Sequence, residues 1–287
     1  MPDAARRVQR WKDVFQPSPS PVTPSQVVMT TPLAPPISVT ILTRDAQRLL
    51  AECLRAVSGF PDVVVLDNGS TDATLDIAAT FANVRVFQEP FTGFGPLHNR
   101  ASELAAHDWI LSIDSDEIVT PELFAEITSQ ALDPGCVYSF SMENYFNGKR
   151  ITTCGWHPDR HVRLFHRRRT RFTDAAVHEG VITASLREIR LNHPVRHYSY
   201  ARVADFLTKM QRYTDQFAAQ HAGKKSSSPL KAALRGGFAF FKSYLLQRGF
   251  LQGYEGLLIS AYNGHTAFYK YLKLYEANQR ARRPDVP

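Results

Sequence analysis

Trp109-Ile110-Leu111-Ser112-Ile113-Asp114-Ser115-Asp116-Glu117 is an apolar run that ends abruptly in alternating carboxylates. Such a run reads as a buried strand delivering Asp114 and Asp116 to the edge of a sheet. Positions i and i+2 of a strand lie on one side, so two hard oxygen ligands converge on one spot, which suits a divalent cation. The same residues also fit an acidic turn, with Glu117 and Thr120-Pro121-Glu122 opening the next helix. The surrounding chain weighs between the two.

Upstream, Ile37 to Thr43 is a β-branched strand, and Asp45 to Val57 has Leu49, Leu50, Cys53, Leu54 and Val57 on one helical face. Asp62 to Leu66 is a second strand, ending at Asp67-Asn68-Gly69-Ser70-Thr71-Asp72, where Ser70 or Thr71 can cap a helix over 72–81. A third strand, Val84 to Phe87, leads through Gly93-Phe94-Gly95 into a helix at about 96–106. Strands alternating with helices imply right-handed βαβ crossovers and a mainly parallel α/β sheet. Ligands of such sheets bind beyond the carboxyl ends of the strands. Thr43-Arg44-Asp45, Asp67-Asn68 and Asp114-Ser115-Asp116 therefore point into one crevice, and a helix-opening turn would not require the other two strand ends.

Downstream of a helix near 121–131, strands are expected at Cys136 to Met142, His161 to Phe165, Val177 to Thr183 and Val195 to Tyr200. From Ala201 the pattern is helical, and a polar break at Gly223-Lys224-Lys225-Ser226-Ser227-Ser228-Pro229 precedes a second helical run to about 280. Residues 1–36, rich in Pro, Ser and Thr, read as a disordered extension. The expected division is thus 1–36, an α/β domain over 37–200 with halves 37–120 and 121–200, and a helical extension over 201–287.

With 287 residues, 44% hydrophobic and 21% charged, the chain can bury a sizeable core. The net charge of +7 permits nucleic acid, an anionic membrane surface or phosphorylated substrates as partners, without choosing among them. Cys53, Cys136 and Cys154 are unpaired in spacing, which supports neither a disulfide framework nor a zinc site and fits a reducing compartment. No secretory signal and no membrane span is expected from the sequence.

Taken together, Ser38-Val39-Thr40-Ile41-Leu42-Thr43-Arg44-Asp45, Val65-Leu66-Asp67-Asn68-Gly69-Ser70-Thr71-Asp72, Gly93-Phe94-Gly95 through Asn99-Arg100, and Leu111 to Glu117 resemble the inverting glycosyltransferases of family 2, in order and spacing. Trp156-His157-Pro158-Asp159-Arg160, Arg163-Leu164-Phe165, Val177-His178-Glu179 and His197-Tyr198-Ser199-Tyr200 resemble the bacterial lipopolysaccharide-core β-glucosyltransferase branch, as do Arg248-Gly249-Phe250-Leu251 and Lys270 to Leu274. The resemblance implies a GT-A fold and transfer of a hexose, glucose from UDP-glucose, to a lipid-linked saccharide, on the inner face of the cytoplasmic membrane. His98 stands where the family frequently has Lys or Gln.

Transfer from a nucleoside diphosphate sugar needs charge stabilisation on the leaving diphosphate and a base for the acceptor hydroxyl. The resemblance gives Asp116, with Asp114 and the late His197, as holders of Mg²⁺ or Mn²⁺. Asp67 is the candidate nucleobase reader, against an Asx-turn or cap. Thr43, Arg44 and Asp45 would wrap base and ribose, against a helix cap. Asn99, Arg100, Ser115 and Arg163 are candidates for the diphosphate or sugar. Glu179 is preferred to Asp174 as base. Trp156, His157 and His178 are acceptor candidates. The basic and aromatic residues after 223 fit either an anionic membrane surface or dimer packing. Two rival classes are a sugar nucleotidyltransferase, for which Thr43-Arg44-Asp45-Ala46 lacks the expected glycine-rich basic loop, and a non-catalytic nucleotide-sugar or nucleic-acid binder, which the acidic pair disfavours because carboxylates repel phosphate.

Overall fold

Strand β1 (Ile37–Thr43) and strand β2 (Asp62–Asp67) are buried along their whole length. That continuous burial is what β-branched runs covered on both faces produce. In the computed structural model, which describes residues 36–175 and 179–282, β1 lies between β2 and β4 (Trp109–Asp114), parallel to both. Strand β3 (Val84–Gln88) extends β2 in parallel, so the first four strands run in the order β3-β2-β1-β4. The order reverses between β1 and β4, and their carboxyl ends lie side by side, with Leu42 paired to Asp114 and Thr43 to Asp67.

Side-chain alternation divides the core. Val39, Ile41, Val63, Val65, Leu111 and Ile113 face helices α1 (Leu50–Ala56) and α4 (Pro121–Ser129). Leu42, Val64, Leu66 and Ile110 face α3 (Phe94–Leu104). Helix α2 (Thr74–Ala79) joins β2 to β3. Thr120 caps α4 by accepting from Leu123 N, with Pro121 as the first helical residue. Glu117, in contrast, belongs to the short strand β5 (Glu117–Val119) rather than to the helix.

Beyond β4 the sheet becomes mixed. It continues through β8 (Arg160–His166), β6 (Cys136–Phe146), β10 (Val195–His197) and β5, while β7 (Lys149–Arg150) and β9 (Arg187–Arg190) also pair with β6. Between 179 and 183, within the expected strand 177–183, the segment makes only a local pairing: Thr173 N donates to Gly180 O and Ile182 N to Arg171 O. Val177 itself lies outside the described residues, as does the expected extension before residue 36. Helices α5 (Val203–His221), α6 (Pro229–Phe241) and α7 (Gly253–Arg282) follow, with a π turn at 242–246 and a 3₁₀ turn at 249–252 between the last two. Phe146, Ile151, Cys154, Tyr200, Phe206 and Ile259 form the core that joins them to the sheet. The three cysteines are free and buried.

Candidate functional site

The chain turns sharply at Ser115 and Asp116, so the end of β4 folds back as β5, and β5 pairs antiparallel with β10, placing His197 opposite Glu117. Tyr198 N donates to Asp116 O at 3.0 Å, and Arg48 Nη2 donates to Tyr198 O at 2.7 Å, which pins the turn to the strand after it. His197 Nε2 thereby stands 3.7 Å from Asp116 Oδ1.

The imidazole is itself oriented from behind. Asn144, its partner in the β10–β6 register, uses its amide nitrogen for Trp156 O and Asp159 Oδ2, which leaves Asn144 Oδ1 to accept from His197 Nδ1–H at 2.7 Å. The Nε2 lone pair then faces the Ser199 hydroxyl at 2.7 Å and Asp116. A histidine whose far nitrogen is fixed by a hydrogen-bonded partner while the near one faces a carboxylate has the arrangement of a metal ligand with its supporting shell. Among the described residues no group of three or more His, Cys, Asp and Glu forms a metal cluster. Asp116 and the oriented His197 are a carboxylate and an imidazole facing one point, a donor pair of a kind that suits a divalent ion.

Asp114 has a different setting. Arg163, from the neighbouring strand β8, donates through Nη2 to Asp114 Oδ2 at 2.9 Å and to Glu117 Oε1 at 3.0 Å, and Glu117 Oε2 accepts from Asp114 N. One cation thus serves two carboxylates, and Glu117 is only 1% exposed. Burial and the neighbouring Asp114 push the Glu117 carboxyl up to about 7, against the pull of Arg163. Burial also opposes ionisation of Asp114, but Arg163, His98 and His197 hold its carboxyl well below the ordinary range. Arg163 Nε is buried without an acceptor, an unspent donor beside the acidic pair.

Helix α3 closes the other side. His98 is buried, its ring stacked 4.4 Å from the Phe172 ring and its Nδ1 3.2 Å from Ser112 Oγ, and burial pushes its pKa down to about 4. Its Nε2 lies 3.9 Å from Glu179 Oε1. The glycines ahead of it have a purpose that spacing alone does not show. A Cβ on Gly95 would lie 2.0 Å from Thr173 O, and Gly95 N donates to Ala175 O, so the tract preceding Glu179 crosses directly over the helix start. Asn99 clasps the same tract: its amide donates to Phe172 O and accepts from Phe172 N.

The first two strand ends form a separate, self-satisfied knot. Asp67 is fully buried; Oδ2 accepts from Gly69 N and Ser70 N, and Oδ1 accepts from Thr43 Oγ1 and Ser70 Oγ. These bonds hold its carboxyl below the ordinary range although burial opposes them. Asp45, at a positive φ of 49°, accepts from Thr71 N and donates its own N–H to Ser70 Oγ. Arg44 is exposed.

Of the expected site residues, then, the fold gathers Asp114, Asp116, Arg163, His197 and Glu179 around the β4 end, and Thr43, Asp45 and Asp67 in the adjoining loop. Asn99 spends both ends of its amide on the Phe172 backbone, and the exposed Arg100 is paired with Glu89 and Glu103, so the expected turn of these two toward the donor meets polar groups already engaged. Asp174, the rejected base, is exposed and paired twice to Arg171. Trp156 stacks on Tyr200 and Phe206 and meets the site through its carbonyl; His157 is exposed, and His178 lies outside the described residues. Sequence reading did not single out Asn144 or Lys209. Burial lowers the Lys209 pKa against the opposing fields of Asp116 and Asp114, and its ammonium lies 4.8 Å from the Tyr200 ring centre. Only its place among the polar positions of α5 signals it in sequence.

The model of Glycosyl transferase family 2 matches residues 38–191. The chain belongs to glycosyltransferase family 2. That match spans the acidic turn, Arg163 and Glu179, and the sheet, parallel through β4 and mixed beyond, with its C-terminal helices, is the family's GT-A architecture. Relatives include a Rickettsia typhi protein described as an uncharacterized glycosyltransferase, 26% identical over 86% of this chain and 89% of that protein. The lipopolysaccharide core biosynthesis glycosyltransferase LpsC of Rhizobium meliloti is 23% identical over 88% of this chain and 96% of that protein. Among solved structures, the Pyrobaculum calidifontis mannosyltransferase PcManGT, in complex with GDP-Man and Mn²⁺, is 16% identical with a TM-score of 0.45, covering 98% of this chain and 94% of that one.

Proposed function

We propose that this family 2 member is an inverting, metal-dependent hexosyltransferase acting from a UDP-sugar on a lipid-linked saccharide. The observation that carries the reading is the acidic turn itself: Asp116 faces an oriented His197, while Arg163 neutralises Asp114. Asp116 and His197 would hold a divalent ion, which when bound would neutralise charge on the leaving diphosphate, and Asn144 fixes the His197 tautomer. Arg163 keeps Asp114 ionised for the donor's ribose or sugar hydroxyls. The Thr43–Asp45 and Asp67–Ser70 loops, locked to one another, supply a rigid edge for base and ribose.

Glu179 is the base. As the acceptor oxygen attacks the anomeric carbon, the hydroxyl proton passes to Glu179 and the UDP oxygen leaves on the opposite face, so one displacement inverts the centre. Glucose as the sugar rests on the resemblance of the motifs, and the lipid-linked acceptor is supported by the role named for the Rhizobium relative. Three buried free thiols fit a cytoplasmic setting. The test is a panel of nucleotide sugars with Mg²⁺ or Mn²⁺, with the product anomer read by NMR. Glu179→Gln is expected to lower turnover about 10²–10⁴-fold with donor affinity unchanged. A retained anomeric configuration, or near-normal turnover in this variant, overturns the assignment.

A further inference from the structure

Helix α6 is amphipathic in an unusual sense: its apolar side is turned outward. Leu230, Leu234, Phe238, Phe241 and Leu245, spaced at helical intervals through the π turn, are 70%, 66%, 59%, 45% and 47% exposed. Leu246, Phe250, Leu251 and Tyr254 continue the apolar surface into the 3₁₀ turn and the start of α7. Exposed apolar surface of this extent in a folded chain marks an interaction site. Among the described residues, no helix is long and apolar enough to cross a membrane.

The charge around this stripe says what covers it. Between Asp215 and Glu255 the chain carries Lys224, Lys225, Lys231, Arg235, Lys242 and Arg248 and no Asp or Glu. Among the described residues none of the six is paired with a carboxylate. Three of them are drawn together instead: the Lys225, Lys231 and Arg235 charges lie 5.8, 5.6 and 5.7 Å from the centre of one ring, Tyr271. Lys231 and Arg235 also line a cavity of about 420 Å³ with Ser228, Leu230, Leu234 and Phe238, so cations without a carboxylate partner and apolar side chains share one depression. A second copy of the chain docked about a two-fold axis would set like charges against like charges. An anionic bilayer surface satisfies both halves at once, taking the apolar stripe below the headgroups and phosphates onto the cations.

We propose that α6 and the turns after it form an interfacial anchor for an anionic phospholipid surface, with a headgroup phosphate seated against Lys225, Lys231 and Arg235. The helix lies in the membrane plane, and long basic side chains reach from the apolar stripe to the headgroups. This anchoring is independent of the transferase chemistry, because none of these residues belongs to the site at β4.

The test is flotation of the intact chain with vesicles of phosphatidylcholine alone or mixed with phosphatidylglycerol. The chain floats with the anionic vesicles, not with the neutral ones, and high salt reduces the bound fraction. Leu234→Glu/Phe238→Glu and, separately, Lys231→Glu/Arg235→Glu lower the bound fraction about tenfold or more, with the thermal midpoint and Mn²⁺-dependent UDP binding of wild type. In the wild-type chain, anionic vesicles slow amide exchange in 229–251. Recovery of the intact chain at the bottom of the gradient with anionic vesicles overturns the proposal, as does unchanged flotation of both variants. A concentration-dependent dimer that Leu234→Glu/Phe238→Glu dissolves, without flotation of the wild type, assigns the face to a second copy instead.

Discussion

Two strands of the same sheet, β2 and β4 on either side of β1, end in aspartate, and the two aspartates have opposite circumstances. Asp67, at the end of β2, gives all its acceptor capacity to Gly69, Ser70 and Thr43, and every partner is neutral. Asp114, at the end of β4, shares a single guanidinium with Glu117 and leads into Asp116, whose facing group is an imidazole. One edge is finished within the protein. The other retains excess negative charge and an unspent buried donor, which is the electrostatic condition for receiving a cation and a diphosphate. An apolar strand ending in Asp therefore does not by itself mark a reactive carboxylate; what distinguishes them is whether the loop that follows can satisfy it.

The largest expected contrast is in stability. Arg163→Met leaves Asp114 and Glu117 close together without their common cation, and is expected to cost about 3–5 kcal/mol in urea unfolding. A loss below about 1 kcal/mol would mean that the two carboxylates are not held by Arg163 in solution.

The next contrast is in pH dependence of the metal-free chain. Glu117 has a folded-state value of about 7 against an ordinary 4.5, so the folded state holds its proton more tightly. Its contribution is complete below about pH 4 and is lost as pH rises to about 7, for a total of ~3 kcal/mol. Asp67 is shifted down, so its contribution is present above the ordinary carboxylate range and is lost as pH falls through and below it. Glu117→Gln should remove the loss of stability between about pH 4.5 and 7, and Asp67→Asn the loss at the acid end. Urea midpoints across pH check both; interchangeable profiles would erase the distinction between the edges.

A smaller effect is expected behind His197. Asn144→Ala removes the acceptor that fixes the imidazole and should weaken Mn²⁺ binding about tenfold while leaving the fold intact. Unchanged Mn²⁺ affinity by calorimetry would remove Asn144 from the metal's supporting shell.

These contrasts also mark what the sequence could convey. The strands that carry the site were legible because β1, β2 and β4 are buried on both faces and so read as short runs rich in β-branched and apolar residues, broken only by Ser38, Thr40 and Ser112 before their polar ends. Local chemistry also announced Thr120-Pro121 as a helix start. What failed to show was whatever depends on pairing between distant segments. Val181 and Ile182 have strand-like side chains, yet their partners are residues 171–173 rather than the main sheet, so the segment forms a local pairing. The clasp of Asn99 on the Phe172 backbone and the pairing of Arg100 with Glu89 likewise join segments that lie apart in the chain. Asn144 is one polar residue in an alternating strand, and only the β10–β6 register turns it toward His197. Lys209 feels the fields of Asp116 and Asp114 because α5 packs back on the sheet through Phe206, its ammonium resting over the Tyr200 ring.

The central claim is that Asp116 and His197 hold a divalent ion for a nucleoside diphosphate. Calorimetric titration of UDP into the wild type and Asp116→Asn, each with and without Mn²⁺, tests it directly. UDP should bind the wild type at least about tenfold more tightly with Mn²⁺, and Asp116→Asn should lose that increment while keeping the wild-type thermal midpoint. The same Mn²⁺ increment in both proteins, or no UDP binding by the wild type with any divalent ion, would contradict it.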